Sequence, residues 1–172
     1  MKTKFVFFLL LFFICSLSAS AQEIVTDEEL KQDLNFLVYK RETNEKFTGI
    51  SQKIRTNGHV VYEEKFEDGV ILERIVYFNQ SNKEISQKTI FNKSKPYVPL
   101  KIVKYGSNEE DNCEEIIHLN EMGKKVLKET ITNGRVTYRC QYQNGKKHGL
   151  EYCILKDGSE LTVKYNQGKK IE

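Results

Sequence analysis

Apolar and polar residues alternate in runs of eight or nine residues through much of this chain, and turn dipeptides that end in glycine separate the runs. Asn-Gly and Asp-Gly between alternating runs favour two-residue type I′ turns, because both central residues of such a turn adopt positive φ. The pattern therefore predicts an all-β protein, folded as an extended antiparallel β-meander of hairpins. The turn glycines are Gly58, Gly69, Gly123, Gly134, Gly145, Gly158 and Gly168.

Two hairpins predict their own register if Asp157-Gly158 and Asp68-Gly69 each form a two-residue turn. In both cases the predicted pairs gather apolar side chains on one face of the sheet. A slip of one residue would move these side chains to the opposite face, because successive side chains of a strand alternate. The predicted pairs are Ile154 with Leu161, Tyr152 with Val163, Leu150 with Tyr165, Phe66 with Ile71, Tyr62 with Ile75, and Val60 with Tyr77.

The Asn144-Gly145 connection predicts a different geometry. Pairing Tyr142 with Leu150 extends the apolar face but leaves an odd-length loop, of the kind closed by a left-handed glycine and a bulge. This register directs Cys140 and Cys153 to opposite faces, so we expect no disulfide between them. The tyrosines of the predicted apolar face favour packing within the sheet over partner contact. They are Tyr62, Tyr77, Tyr138, Tyr142, Tyr152 and Tyr165.

The stretch before the repeats predicts a short N-terminal helix at residues 26–40. Thr26 and Glu29 have the spacing of a capping box. Leucines and a valine then follow at helical spacing. Such a helix would cover one end of the sheet, where an exposed strand edge invites aggregation. The apolar residues are Leu30, Leu34, Leu37 and Val38.

The first residues, MKTKFVFFLLLFFICSLSASAQ, have the composition of a secretory signal peptide at 1–21. Lysines precede an apolar run, and small residues end it, as cleavage requires. The run is shorter than the roughly 20 apolar residues that span a bilayer. We therefore expect export to the periplasm or the extracellular space. The remaining chain divides into a helix and lead-in at 22–46 and a repeat domain at 47–172, with blocks at 47–92 and 113–170 joined by 93–112.

Charge and composition argue against several classes of function. Without the two lysines of the signal peptide, 25 basic residues balance 24 acidic ones, so no concentrated basic face for nucleic acid is expected. The histidines lie far apart, without metal-ligand spacing. Three cysteines remain after cleavage, Cys113, Cys140 and Cys153, and an odd number leaves at least one thiol unpaired or intermolecular. We predict no metal site and no cofactor.

No catalytic motif stands out in the sequence. It contains neither a nucleophile elbow nor a zinc-binding His-Glu-x-x-His helix. Glu64 and Glu73, which the predicted register places opposite each other in the first hairpin, are a candidate acid/base pair. We favour the interpretation that the two carboxylates are solvated or bridged by lysines, because a single sheet leaves both faces partly wet. The sequence thus predicts a protein that is not an enzyme.

The segment YQNGKKHGLEYCILKDG at 142–158 resembles a bacterial MORN-type repeat, and FTGISQKIRTNG at 47–58 resembles the second half of that unit. Other copies are degenerate, since Glu73 stands where the repeat glycine would fall. The resemblance implies an extended antiparallel sheet that serves as a binding or scaffolding surface. Bacterial proteins of this family are often labelled as antitoxins, a role that export away from a cytosolic toxin would oppose.

The basic residues of the repeat, Lys146, Lys147 and His148, are the candidate partner-binding site. The segment lacks the Gly-Lys-Ser/Thr ending of a phosphate loop, and a strand pattern follows it instead of a helix. Attraction of an acidic partner is the functional interpretation that remains. We expect an exported, non-enzymatic β-repeat protein that binds another protein in the cell envelope. The alternatives are an envelope hydrolase that uses unidentified carboxylates and a module that binds anionic membrane surfaces.

Overall fold

The computed structural model describes residues 22–80, 82–106 and 112–171, so the predicted signal peptide at 1–21 lies outside the described residues. These residues form fourteen β-strands and one 3₁₀ turn, Asp27–Glu29, and contain no α-helix. The all-β fold class is therefore confirmed. The strands are β1 (Ile24–Thr26), β2 (Leu30–Gln32), β3 (Val38–Lys40), β4 (Gly49–Ile54), β5 (Val60–Glu67), β6 (Val70–Tyr77), β7 (Ile85–Asn92), β8 (Lys95–Tyr105), β9 (Cys113–Leu119), β10 (Lys125–Thr132), β11 (Arg135–Gln143), β12 (Lys146–Ile154), β13 (Glu160–Asn166) and β14 (Lys169–Lys170).

Twelve of the strands form one sheet in the order β1-β4-β5-β6-β7-β8-β9-β10-β11-β12-β13-β14. Strand β1 lies parallel to β4, and each later pair is antiparallel. The predicted long meander is thus confirmed. Strand β8 connects the two predicted repeat blocks within the same sheet, and β2 and β3 form a separate hairpin.

The turns that contain the predicted glycines fall into two classes. In four two-residue turns both residues have positive φ, and in three longer loops only the glycine does. The longer loops close with a backbone hydrogen bond across three residues, as in Leu155 N–H to Ser159 O at 2.8 Å. The two-residue turns are Asp68-Gly69, Asn133-Gly134, Asn144-Gly145 and Gln167-Gly168; the glycines of the longer loops are Gly58, Gly123 and Gly158.

The longer loop at Gly158 shifts the β12–β13 hairpin by one residue from its predicted register. Tyr152 pairs with Thr162 and not with Val163, which pairs with Glu151. The prediction was wrong because the loop holds one more residue than a type I′ turn. The side chain of Asp157 supports the longer loop by accepting the Ser159 N–H at 3.0 Å.

The Asp68-Gly69 turn has the predicted two-residue form, and Phe66 pairs with Ile71 as expected. A bulge between Lys65 and Phe66 then shifts the register. Tyr62 consequently pairs with Val76 and not with Ile75. The prediction for this hairpin is therefore right at the turn and wrong beyond the bulge.

The Asn144-Gly145 connection is a two-residue turn and not the predicted odd-length loop. The bulge occurs further along, where β12 places three residues opposite Gln141. There Gly149 has a φ of +86°, and the side-chain oxygen of Gln141 accepts the Leu150 N–H at 2.8 Å. The left-handed glycine therefore serves a bulge within the strand, where an L side chain would be strained.

The two faces of the sheet can be followed from strand to strand through residues whose Cα atoms lie directly opposite each other. Two such rows of paired residues cross the sheet. The side chains of one row project from the side on which the β2–β3 hairpin packs, and we call this side the hairpin face. The other side is the open face. The hairpin-face row is Ser51, Glu64, Arg74, Thr89, Ile102, Ile117, Lys128, Cys140, Glu151 and Val163; the open-face row is Gln52, Glu63, Ile75, Lys88, Val103, Ile116, Glu129, Arg139, Tyr152 and Thr162.

The predicted N-terminal helix is wrong, although its capping interaction exists. The Glu29 carboxylate accepts the Thr26 N–H at 2.8 Å, but the chain returns to an extended conformation after one 3₁₀ turn. Asp33 then reverses the chain by accepting the Leu37 N–H at 2.9 Å. Leu34, one of the residues at helical spacing, is 98% exposed, so the spacing does not mark a packed face.

The hairpin that replaces the helix covers a hydrophobic cluster at the N-terminal end of the hairpin face. Gly69 lies so close to β3 that an added Cβ would sit 2.9 Å from the Val38 carbonyl oxygen. The Val38 N–H donates to the Gly69 carbonyl at 2.9 Å, and this hydrogen bond anchors the β2–β3 hairpin to the Asp68-Gly69 turn. The buried members of the cluster are Leu30, Val38, Phe47, Phe66, Ile71 and Phe91.

Candidate functional site

The predicted binding residues lie in strand β12, not in a loop, and do not form one surface. Lys147 pairs with Tyr142 on the hairpin face, whereas its neighbour Lys146 is exposed and pairs with Gln143. His148 is half-buried, and its Nδ1 has no hydrogen-bond partner among the described residues. The prediction that these residues bind a partner stays a prediction, and only Lys146 extends freely toward solvent.

Lys147 belongs to a polar cluster around Glu151 on the hairpin face. The Glu151 carboxylate is 12% exposed and bonds the Lys147 ammonium. The Tyr138 hydroxyl donates to the same carboxylate at 2.7 Å. The ammonium also lies 5.0 Å from the centre of the Tyr165 ring. Because one carboxylate meets a cation and hydroxyl donors, the cluster is an internally satisfied ion pair.

The pKa values of the cluster favour the ionised pair. Burial would raise the pKa of Glu151, but hydrogen bonds from Lys147, Tyr138 and Tyr165 outweigh it and lower that pKa below its ordinary value. The hydrogen bond to Glu151 raises the pKa of Lys147. Burial, followed by the hydrogen bond to Glu151, raises the pKa of Tyr138. A carboxylate held in this way stabilises the fold and is a poor proton acceptor.

We expect Glu151→Gln to lower the free energy of unfolding at pH 7 by about 2 kcal/mol, because a hydrogen bond to a charged group is lost. The lowered pKa of Glu151 means that its contribution is complete above about pH 4.5 and disappears as the pH falls through the folded-state pKa. The variant should therefore lose less stability than the wild type between neutral pH and about pH 3. Urea unfolding across this pH range measures both effects.

Glu67→Gln is the control, because Glu67 forms an exposed ion pair with Lys93. An exposed pair contributes little to stability, so this variant should follow the wild-type pH profile closely. Equal pH profiles for Glu151→Gln and the wild type would contradict the assigned role of Glu151.

Two other carboxylates of the sheet are also paired with cations. Glu64 pairs with Arg74, whose Nε donates at 2.7 Å, and Glu73 binds Lys88 at 2.8 Å on the opposite face. The prediction that Glu64 lies opposite Glu73 was wrong because of the bulge in β5–β6. Each carboxylate is thus paired with a cation; the partner of Glu73 is a lysine, as the favoured interpretation expected, whereas the partner of Glu64 is an arginine.

The register also divides the tyrosines between the two faces. Four of them project from the hairpin face, and Tyr77 and Tyr152 project from the open face. The expectation that all six share one face was wrong because the bulges and the longer loops change the alternation. The hairpin-face tyrosines are Tyr62, Tyr138, Tyr142 and Tyr165.

A groove of about 550 Å³ crosses β11, β12 and β13 on the open face. Arg139 lies in it, with its guanidinium held by Glu129 at 2.7 Å. Arg135 makes a single contact with Glu160 at 2.9 Å, in an ion pair that is exposed. Leu150 is 52% exposed at the groove. The lining residues are Arg135, Val136, Arg139, Gln141, Leu150, Tyr152 and Thr162.

The composition of this groove suits recognition more than chemistry. Arginine and tyrosine are enriched in protein interfaces, and an exposed leucine supplies apolar area that a partner can bury. The lining side chains comprise two guanidiniums, one amide, one phenol, one threonine hydroxyl and two aliphatic groups. None of these is a carboxylate, imidazole or thiol that could act as general base at neutral pH.

Sequence reasoning missed the groove because its members meet only in the observed register. Arg139 and Tyr152 are direct Cα partners, whereas the predicted pairing of Tyr142 with Leu150 would place Tyr152 opposite Cys140. The sequence does contain one indication of the groove. Polar residues occupy alternate positions of β11, among them Arg135, Arg139 and Gln141.

The described residues contain no group of three or more His, Cys, Asp or Glu side chains arranged to hold a metal ion. All three described cysteines are free thiols, and Cys140 is buried. Contrary to the predicted register, Cys140 and Cys153 project from the same face, since Cys140 pairs with Glu151, two residues before Cys153. No helix in the described part of the chain has the length and apolar character to cross a membrane.

Comparison with known proteins gives no relationship. No family model matches the chain, and no curated protein or solved structure is significantly similar to it. The groove and the sheet that carries it are therefore interpreted from their own geometry.

Proposed function

We propose that the protein is a non-enzymatic binding protein that docks another protein in the open-face groove of β11–β13. The observation that carries the proposal is the groove itself, in which Arg139, Tyr152 and the half-exposed Leu150 lie together. Arginine and tyrosine contribute a large share of the binding energy at interfaces when a partner excludes water from them, and Leu150 adds apolar area that the partner can bury.

The Arg139 guanidinium supports the proposal because it is already oriented. Glu129 accepts from both Nε and one terminal nitrogen of Arg139, at 2.9 and 2.7 Å. Burial would raise the pKa of Glu129, but hydrogen bonds from Arg139 and His118 lower it, so the carboxylate keeps its charge. A side chain that is fixed before binding loses less conformational entropy when the partner arrives.

The proposal includes export and a repeat scaffold. The apolar run at residues 5–17 supports export, which would place the encounter in the periplasm or outside the cell. The MORN-type resemblance of residues 142–158 supports a sheet that offers surface to partners, with an immunity role if the partner is an exported toxin.

The test is in-cell crosslinking and pull-down of the full-length chain from its native cell. Leu150→Glu places a charge where a partner would bury apolar surface, and should weaken capture of the partner by at least about tenfold. Ile90→Glu is the matched control, because Ile90 is 37% exposed on the same face but in β7, away from the groove.

Capture of one specific partner by the wild type and by Ile90→Glu, with loss in Leu150→Glu, is the expected result. Two outcomes would contradict the proposal: no protein enriched by the wild type, or a partner that Leu150→Glu retains in full. Thermal unfolding of each variant separates loss of binding from loss of the fold.

A further inference from the structure

Strand β13 is the last long strand of the sheet, and β14 covers only one end of it. Among the described residues, β14 pairs with Tyr165 and Asn166 alone. The outer side of residues 160–163 therefore has no strand beside it in the described part of the chain. An uncovered strand edge offers backbone N–H and C=O groups to an extended segment of another chain.

One hydrogen bond shows which residues of β13 direct their backbone N–H and C=O away from β12. The Ile171 N–H donates to the Lys164 carbonyl at 2.9 Å, so the backbone groups of Lys164 point toward the outer side of β13. Since this direction alternates along a strand, Thr162 also points its N–H and C=O outward, whereas Val163 points toward β12. Thr162 is thus at the centre of the uncovered edge.

Lysines lie at both ends of this edge. Lys156 is in the loop that precedes β13, and Lys169 and Lys170 form β14. Lys146 lies next to β14, where it approaches Gly168. All four side chains are exposed, and none of them belongs to an ion pair among the described residues. Two acidic side chains, Asp157 and Glu160, lie at the end near Lys156, and Arg135 already holds Glu160. The four lysines outnumber them, so the edge is complementary to an acidic segment.

The edge is continuous with the groove. Thr162 lines the groove through its side chain and offers its N–H at the edge, and its Cα partner Tyr152 lies on the groove side of β12. A strand added beside Thr162 would project every second side chain over the open face. One extended segment can thus occupy both features.

We propose that an extended, acidic segment of the partner adds to the outer edge of β13 as an extra strand and places side chains in the groove. The inference rests on the proposed function and names the binding mode and the chemistry of the partner. Backbone hydrogen bonds to Thr162 supply affinity, and the flanking lysines select acidic sequences. The segment pairs with the uncovered residues 160–163, so about four of its residues lie beside β13 before β14 is reached.

Thr162→Pro tests this mode, with Thr162→Ala as its matched control. Both variants lose the threonine side chain, but only proline loses the outward N–H, and proline is tolerated at a strand edge whose N–H faces solvent. The probe is a phage-displayed library of random decapeptides, selected on the full-length chain. Selected peptides should be enriched in Asp and Glu, and Thr162→Pro should bind them at least about tenfold more weakly than Thr162→Ala.

Amide hydrogen exchange supplies a second measurement. The Thr162 amide should exchange rapidly in the free protein and slow on addition of a selected peptide, while the amide of Ile90 stays unchanged. Peptides that bind Thr162→Pro and Thr162→Ala equally, or that leave the Thr162 amide unprotected, would overturn strand addition. If those peptides still require Leu150, the groove remains a binding site; if they bind Leu150→Glu as well as the wild type, the proposed function fails too.

Discussion

Phe66→Ala will lower the free energy of unfolding by about 3–5 kcal/mol, the cost of removing a large side chain from a packed core. Phe66 is 2% exposed and lies 5.8 Å from Phe47, measured between ring centres. Both rings belong to the cluster that the β2–β3 hairpin covers. Because most of the sheet beyond the hairpin has partly exposed faces, the cavity would remove a large share of the apolar burial. Equilibrium unfolding in urea measures the loss.

Phe36→Ala is the matched control for this prediction. Phe36 is 54% exposed in the loop of the same hairpin, so its removal leaves no buried cavity. We expect a cost below about 1 kcal/mol, in line with surface substitutions. Similar losses for the two variants would show that the N-terminal cluster is not the main core of the fold.

Gly69→Ala will destabilise the protein by about 3 kcal/mol, of which about 1–2 comes from the left-handed backbone and the rest from overpacking against β3. Gly69 has a φ of +79°, and an added Cβ would meet the Val38 oxygen at 2.9 Å. That carbonyl oxygen accepts the Phe47 N–H at 3.0 Å, so the backbone has little freedom to move away. The hairpin would have to shift off the turn.

Gly134→Ala separates the two causes. Gly134 occupies the same position of a two-residue turn with a φ of +76°, and an added Cβ would meet nothing within 4 Å. This variant should lose only the conformational cost, about 1–2 kcal/mol. The difference between the two alanine variants in urea unfolding measures the contact of the hairpin with the turn. Equal losses would argue against that contact.

The meander could be predicted from the sequence because its two causes are local. Alternation in polarity selects strands, and glycine after Asn or Asp allows the positive φ that tight turns require. Register could not be predicted in the same way. Asp68-Gly69 and Asp157-Gly158 are the same dipeptide, yet the first forms a two-residue turn and the second belongs to a longer loop. One extra residue exchanges the two faces of the following strand.

The N-terminal segment shows tertiary structure overriding a local helix signal. The Thr26 and Glu29 interaction forms, as the capping box predicts, but Leu30 and Val38 gain more by packing against the sheet as strand residues. Burial of these two side chains depends on Phe66 and Ile71, which are distant in sequence. A reading of 26–40 alone could not include that contribution.

The candidate site could not be predicted from the sequence, because its residues come together only in the observed strand register. Lys146 and Lys147 were noticed because they are adjacent in the chain, yet they project from opposite faces, and Lys147 is bound to Glu151. Arg139 and Tyr152 are 13 residues apart and meet only as Cα partners across β11 and β12. Recognition surfaces on a sheet are built from such partners, so an error of one residue conceals them.

Site-specific photocrosslinking tests the central claim, that a partner docks at the open-face groove beside the edge of β13. A photoreactive amino acid replaces Leu150 in one version of the full-length chain and Ile90 in another, and both are irradiated in the native cell. Both positions are exposed on the open face, Leu150 to 52% and Ile90 to 37%, and they lie on different strands. We predict a covalent adduct with one partner from position 150 and none from position 90. Adducts of equal yield from both positions, or no adduct from position 150, would contradict the claim.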